Sequence, residues 1–90
     1  MAIIGKETPE LEKQYRFQWE EAQECYVLLY PEGLIKLPGS AGEIMKQIDG
    51  TLNIDEIINN LETKFPGTKL RDDVIDFLEI AYEKGWIKNK

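Results

Sequence analysis

Residues 27–48 read V-L-L-Y-P-E-G-L-I-K-L-P-G-S-A-G-E-I-M-K-Q-I, and this stretch decides the fold. A strand rich in branched and aromatic residues ends at Pro31, whose ring presets φ for a turn, and Gly33 then tolerates a left-handed backbone. This pattern predicts a short hairpin with a bulge at Gly33. The next strand covers residues 34–37, and Pro38 ends it because proline has no N–H to donate.

Three helices are predicted after this hairpin. Ser40 and Glu43 have the spacing of a capping box, which predicts a helix that starts at Ser40. Asn53, with Glu56 three residues on, is predicted to cap a second helix, whose apolar residues recur at helical spacing up to Phe65. A third helix is predicted over residues 70–84, with acidic residues in its first turn, where the helix dipole favours negative charge.

Two further strands precede the hairpin turn. Residues 15–20 alternate aromatic and polar side chains, which is typical of a half-buried strand. Residues 24–30 are apolar on both faces, so we expect that strand to be central. The chain is therefore predicted to be α+β, a small winged-helix-like domain with a three-stranded antiparallel sheet followed by three helices. We expect residues 15–90 to form this domain and residues 1–14, which show no period, to be a flexible tail.

Composition restricts the function. The 90 residues carry a formal net charge of −6, which works against binding to nucleic acid or anionic lipid. The predicted third helix is itself acidic, so a transcription regulator that reads DNA is disfavoured. No apolar run approaches the length of a membrane span, and there is a single cysteine; both features favour a cytoplasmic protein.

Catalytic chemistry is not indicated. The chain has no histidine, and Cys25 lies in a strand with no basic neighbour in sequence to activate it. Asp72 and Asp73 are adjacent, so on a helix they diverge by about 100° and do not share a proton or a metal. We therefore predict that the protein is not an enzyme and has no cofactor or metal site.

The central strand pairs with one edge of the strand at residues 34–37. The other edge of that strand is therefore predicted to remain unpaired. An extended peptide can add to such an edge, and its alternate side chains then enter the cleft beside the third helix. Alternatively, the N-terminal tail or a second copy of the chain covers the edge, which would make the protein a homodimeric structural or regulatory module. The residues alone leave both alternatives open.

The sequence resembles the PqqD family of pyrroloquinoline quinone biosynthesis over about residues 17–87. The resemblance is carried by V-L-L-Y-P-E-G at residues 27–33, with Trp19-Glu20 before it and Gly85-Trp86-Ile87 near the C-terminus. It implies a non-enzymatic peptide chaperone of winged-helix type, the recognition element of a ribosomal peptide-modifying system. The implied partners are the precursor peptide PqqA and the radical S-adenosylmethionine (SAM) enzyme PqqE, to which the peptide is presented.

The resemblance also implies where the peptide binds, namely beside the third strand and against the third helix. The corresponding residues here are Gly33, Leu34, Ile35, Lys36, Leu37, Leu70, Arg71, Val74, Ile75 and Leu78. Within this set, the pockets are expected to be lined by Leu34, Val74, Ile75 and Leu78. Arg71 and Lys36 are expected to pair with acidic groups of the peptide.

Overall fold

The computed structural model describes residues 5–90, which form five strands and three helices. In chain order these are β1 (Pro9–Leu11), β2 (Arg16–Glu20), β3 (Cys25–Tyr30), β4 (Gly33–Leu37), α1 (Ser40–Lys46), α2 (Ile54–Lys64), α3 (Arg71–Glu83) and β5 (Ile87–Asn89). An antiparallel sheet has the order β2-β3-β4, and β1 pairs with β5 in a second, two-stranded sheet. The predicted α+β architecture, a three-stranded sheet followed by three helices, is confirmed.

The strand β3 is central, as its two apolar faces predict. Val27 and Leu28 are neighbours in sequence, point to opposite faces, and are both fully buried. The hairpin to β4 is tighter than the sequence predicts, because Tyr30 pairs directly with Gly33 across a two-residue loop and the register continues without a skipped residue. The predicted bulge is therefore wrong. Gly33 has φ 156° and extends the strand instead of leaving it.

The helices cover the sheet face that carries Leu28. Apolar residues at i, i+3, i+4 and i+7 give α2 a continuous buried stripe. The core consists of Leu28, Leu37, Ile44, Met45, Ile54, Ile57, Ile58, Leu61, Val74, Leu78, Ala81, Trp86 and Ile87. Within residues 5–90, none of the helices is long and apolar enough to cross a membrane.

The segment before β2 is more ordered than its sequence predicts. We expect a flexible tail over residues 1–14, but Pro9 is fully buried and β1 pairs antiparallel with β5. The backbone carbonyls of Gly5 and Glu7 also accept hydrogen bonds from the first amides of α2. A three-residue strand is too short to show alternation, and its partner lies at the other end of the chain. Residues 1–4 lie outside the described part of the structure.

The two predicted capping boxes have different outcomes. Asn53 Oδ1 accepts from the Glu56 amide and Glu56 Oε1 accepts from the Asn53 amide, both at 2.8 Å, so that box is confirmed. The box at Ser40 is wrong, because Gly39 precedes α1 with φ 59° and no side chain caps the helix. The Glu43 carboxylate accepts instead from Lys64 Nζ at 2.8 Å.

Candidate functional site

Within residues 5–90, the strand β4 pairs with β3 on one side only. Tyr30 and Gly33 flank a two-residue loop, so they form a hydrogen-bonded pair. Hydrogen bonding alternates along an antiparallel ladder, so every second residue from Gly33 onward bonds to β3. The backbone N–H and C=O groups of the intervening residues, Leu34 and Lys36, are therefore directed outward. These two residues form the open edge of the sheet.

The side chains of β4 alternate between the two faces of the sheet. Ile35 is opposite the buried Leu28, and both Ile35 and Leu37 pack toward the helices. Leu34 and Lys36 point to the other face, where Leu34 is 41% exposed. The register thus does not bring Leu34 into the same cleft as the residues of α3, although its backbone belongs to the open edge.

The predicted residues on α3 have unequal access to the surface. Leu78 is fully buried and Val74 is 1% exposed, so both belong to the core. Leu70 and Ile75 are partly buried and pack against that core. Arg71 is exposed, and its guanidinium is 3.0 Å from an oxygen of Asp55. Of the two cations predicted to meet a peptide, Arg71 therefore already has an intramolecular partner.

A cavity of about 490 Å³ opens between the start of α1, the end of α2 and the start of α3. Its lining residues are Gly39, Ser40, Glu43, Ile44, Leu61, Phe65, Thr68, Leu70, Asp73 and Val74. Leu70 and Val74 belong to the predicted site. The other lining residues are not in the predicted set, and those on α1 and α2 reach the cavity only through the packing of the helices.

The cavity wall is largely apolar, and two acidic residues contribute to it. Phe65 is 41% exposed, whereas the sequence places it on the buried stripe of α2. Phe65 follows the last residue of α2, and its neighbours Pro66 and Gly67 break the helix there. This Pro-Gly pair is the sequence signal that places the aromatic side chain at a helix end. Glu43 of α1 and Asp73 of α3 are the two acidic residues that contribute to the cavity lining. Such a site suits an apolar side chain accompanied by polar or cationic groups.

Among residues 5–90, Asp49 and Tyr82 have clearly shifted pKa values, and neither lines this cavity. Hydrogen bonds from the Thr51 hydroxyl and amide lower the pKa of Asp49, a residue of the turn before α2. Burial, together with the charge of Glu7, raises the pKa of Tyr82 to about 12. In residues 5–90 we find no cluster of three or more His, Cys, Asp or Glu side chains placed to hold a metal ion. The notable features of the site are therefore an open strand edge and an apolar cavity.

Comparison with known proteins gives consistent matches. The sequence model of the family described as coenzyme PQQ synthesis protein D (PqqD) matches residues 25–87. The chain is 52% identical over 88 residues to a PqqA binding protein of Acinetobacter baylyi, covering 97% of this chain and 89% of that protein. It is 48% identical over 81 residues to a PqqA binding protein of Azotobacter vinelandii, covering 89% of this chain and 88% of that protein.

The fold also has a counterpart among solved structures. The solution NMR structure of the PqqD truncation of Methylobacterium extorquens PqqCD superposes with a TM-score of 0.79 at 24% identity. The match covers 97% of this chain and 95% of that one. That protein is described as a functional, stand-alone recognition element for ribosomally synthesized and post-translationally modified peptides. The likeness shows that the two chains share a fold.

Proposed function

Because the chain belongs to the PqqD family, we propose that it is a non-enzymatic adaptor that binds the precursor peptide PqqA. Relatives about half identical to it are named for binding this peptide. The observation that carries the proposal is the open edge of β4, with outward backbone groups at Leu34 and Lys36, close to an apolar cavity.

Binding proceeds by strand addition. The outward N–H and C=O groups of β4 hydrogen-bond the peptide backbone and hold an extended chain regardless of its sequence. The cavity then accepts a side chain and sets the register. A flexible peptide loses about 2–5 kcal/mol of the contact energy on ordering. A micromolar complex requires a net binding free energy of about −8 kcal/mol, so the apolar contacts must exceed that ordering cost.

The bound peptide is presented to the radical SAM enzyme PqqE in the cytoplasm. This step rests on the resemblance to PqqD. An adaptor that grips its peptide through one edge and one cavity leaves the rest of the peptide extended and accessible to an enzyme. Co-sedimentation of the protein with PqqE, in the presence and absence of PqqA, tests this step separately from peptide binding.

Lys36→Pro tests the strand addition. Proline is tolerated on an edge strand where the N–H faces solvent, so this change removes one outward donor and preserves the bonds to β3. Lys36→Ala is the matched control, because it removes the same charge and keeps the amide. By titration calorimetry with PqqA, we expect the proline variant to bind about tenfold more weakly than the alanine variant, since a peptide carbonyl loses its partner. Equal affinity of the two variants, with unchanged circular dichroism, contradicts strand addition on β4.

A homodimer remains the second candidate, because the same open edge can pair with its copy and Leu34 beside it is 41% exposed. Sedimentation velocity at micromolar concentration distinguishes the two. A dimer that dissociates when PqqA is added indicates that copies and peptide compete for one edge. A dimer that persists at full peptide occupancy indicates a separate interface.

A further inference from the structure

We propose that the cavity between the three helices selects a peptide segment in which a large apolar side chain is accompanied by a lysine or arginine that pairs with Asp73. This inference rests on the proposed function, and it assigns the chemistry that the site recognises. It departs from the sequence-based expectation that cations of the protein meet acidic groups of the peptide.

Apolar side chains form the wall of the cavity, so we expect it to bind an apolar side chain of the peptide. Ile44, Leu61, Phe65, Leu70 and Val74 all line a space of about 490 Å³. Four of these side chains are buried or partly buried, whereas Phe65 is 41% exposed. An aromatic ring that is exposed beside an apolar cavity gains contact and loses water when a second apolar side chain enters.

The expected cation on the peptide is inferred from the two acidic residues that line the cavity. Glu43 is paired with Lys64, whose ammonium is 2.8 Å from its carboxylate. Asp73, on the α3 side, makes no ion pair with any residue from 5 to 90. Arg71, two residues before it, is held by Asp55. The unmatched charge at the cavity is therefore negative, and the net charge of −6 favours a basic over an acidic segment.

The position of the cavity also limits the register of the peptide. The cavity is lined by Gly39 and Ser40, which follow β4, and by no residue of β4 itself. A peptide paired with the outward groups of Leu34 and Lys36 therefore reaches the cavity only beyond the end of the strand.

Asp73 also lies in the first turn of α3, where any acidic residue interacts with the helix dipole. Asp72 shares that turn and that charge, but it does not line the cavity. The pair therefore provides a matched comparison. Asp73→Asn and Asp72→Asn each lose one charge at the helix terminus, and only the first loses a charge at the cavity.

The test uses the PqqA peptide of Acinetobacter baylyi, titrated into the wild-type chain and both asparagine variants at low and high salt. We expect Asp73→Asn to bind about threefold more weakly at low salt, with a smaller difference at high salt, and Asp72→Asn to match the wild type. Replacing each peptide lysine or arginine by glutamine in turn identifies the partner, because one replacement weakens binding to the wild type but not to Asp73→Asn.

Phe65→Ala tests whether the cavity binds an apolar side chain of the peptide, and Ile80→Ala is its control. Ile80 is a comparably exposed apolar residue that does not line the cavity. We expect Phe65→Ala to weaken binding about tenfold and Ile80→Ala to leave the affinity unchanged.

The outcomes separate the two proposals. If the wild-type chain does not bind the peptide, both the proposed function and this inference are overturned. If it binds and the two asparagine variants have equal affinity, only the pairing with Asp73 is wrong. If it binds and Phe65→Ala matches Ile80→Ala, the apolar anchor lies elsewhere.

Discussion

The Arg71 guanidinium donates to Asp55 Oδ1 across 3.0 Å, which links the first residue of α3 to the first turn of α2. Gly5 packs against the same carboxylate, so closely that a β-carbon there would lie 2.3 Å from Asp55 Oδ1. The start of α3 and the segment before β1 thus meet at one side chain of α2. An arginine that the sequence assigns to peptide binding is engaged within the fold.

We therefore expect Arg71→Ala to have a small effect on the stability of the fold and on the affinity for PqqA. The two side chains of the pair are 56% and 48% exposed, and such ion pairs contribute about 0–1 kcal/mol to stability. Calorimetry with PqqA should give an affinity within about twofold of the wild type. A loss of tenfold or more, with an unchanged free energy of unfolding, would indicate that Arg71 leaves Asp55 to meet the peptide.

Gly42→Ala is expected to destabilise the protein, although alanine is the better helix former. A β-carbon at position 42 would lie 2.8 Å from the Leu37 carbonyl oxygen and 2.9 Å from a ring carbon of Tyr26. The backbone carbonyl cannot move without disturbing β4, and overpacking of this kind costs about 1–3 kcal/mol. The gain in helix propensity, about 1 kcal/mol, offsets part of this cost. Urea unfolding measures the difference, and a higher midpoint for the variant contradicts the close packing of α1 on the sheet.

Asn53→Ala and Ser40→Ala are expected to differ, although both residues have a capping-box sequence. Asn53 accepts a hydrogen bond from the Glu56 amide, and the loss of such a cap costs about 1 kcal/mol. No side chain caps α1, so we expect Ser40→Ala to change the free energy of unfolding by less than about 0.5 kcal/mol. Equal losses in the two variants, measured by thermal unfolding, show that Ser40 caps α1 in solution.

Tyr82 is expected to make stability pH-dependent in alkaline solution. Burial and the nearby Glu7 raise its pKa from 10.0 to about 12 in the folded chain, so the folded state holds the phenolic proton more tightly than the unfolded state. The resulting stabilisation is complete below pH 10 and is lost as the pH rises through 12.

Tyr82→Phe removes this contribution and is the variant to compare. Denaturant unfolding between pH 9 and pH 12 should show a steeper loss of stability for the wild type than for the variant. The absolute stabilities also differ, because the variant lacks the hydrogen bond from the Tyr82 hydroxyl to Asn89. The slope with pH is therefore the informative quantity, and parallel curves contradict the raised pKa.

Removal of residues 1–8 is expected to destabilise the fold. The carbonyls of Gly5 and Glu7 accept from the Asp55 and Ile54 amides, and the Thr8 carbonyl accepts from the Lys90 amide. The loss of these three hydrogen bonds is expected to lower the free energy of unfolding by about 1–3 kcal/mol, in part because two amides of α2 lose their partners. A chain lacking only residues 1–4 retains all three carbonyls and is the control. If chemical unfolding gives equal stability for the two truncated chains, these bonds contribute nothing.

Local patterns predicted much of the fold. Proline and glycine placed the hairpin, apolar residues on both faces identified the central strand, and helical spacing located the stripes of α2 and α3. The open edge of β4 followed from the order of the strands. The identity of its outward residues, Leu34 and Lys36, could be assigned only once the length of the loop was known. Composition does not give that length, because a two-residue hairpin and a bulged hairpin use similar residues.

The sequence by itself therefore determined the architecture, the acidic character and the edge strand of this protein, because each depends on residues a few positions apart. Only the tertiary structure decided the pairing of β1 with β5, the engagement of Arg71 by Asp55 and the cavity that joins Phe65 to Asp73. These features bring together segments that are far apart in the chain. Their contacts arise from how the helices pack on the sheet, and no spacing within a single segment specifies that packing.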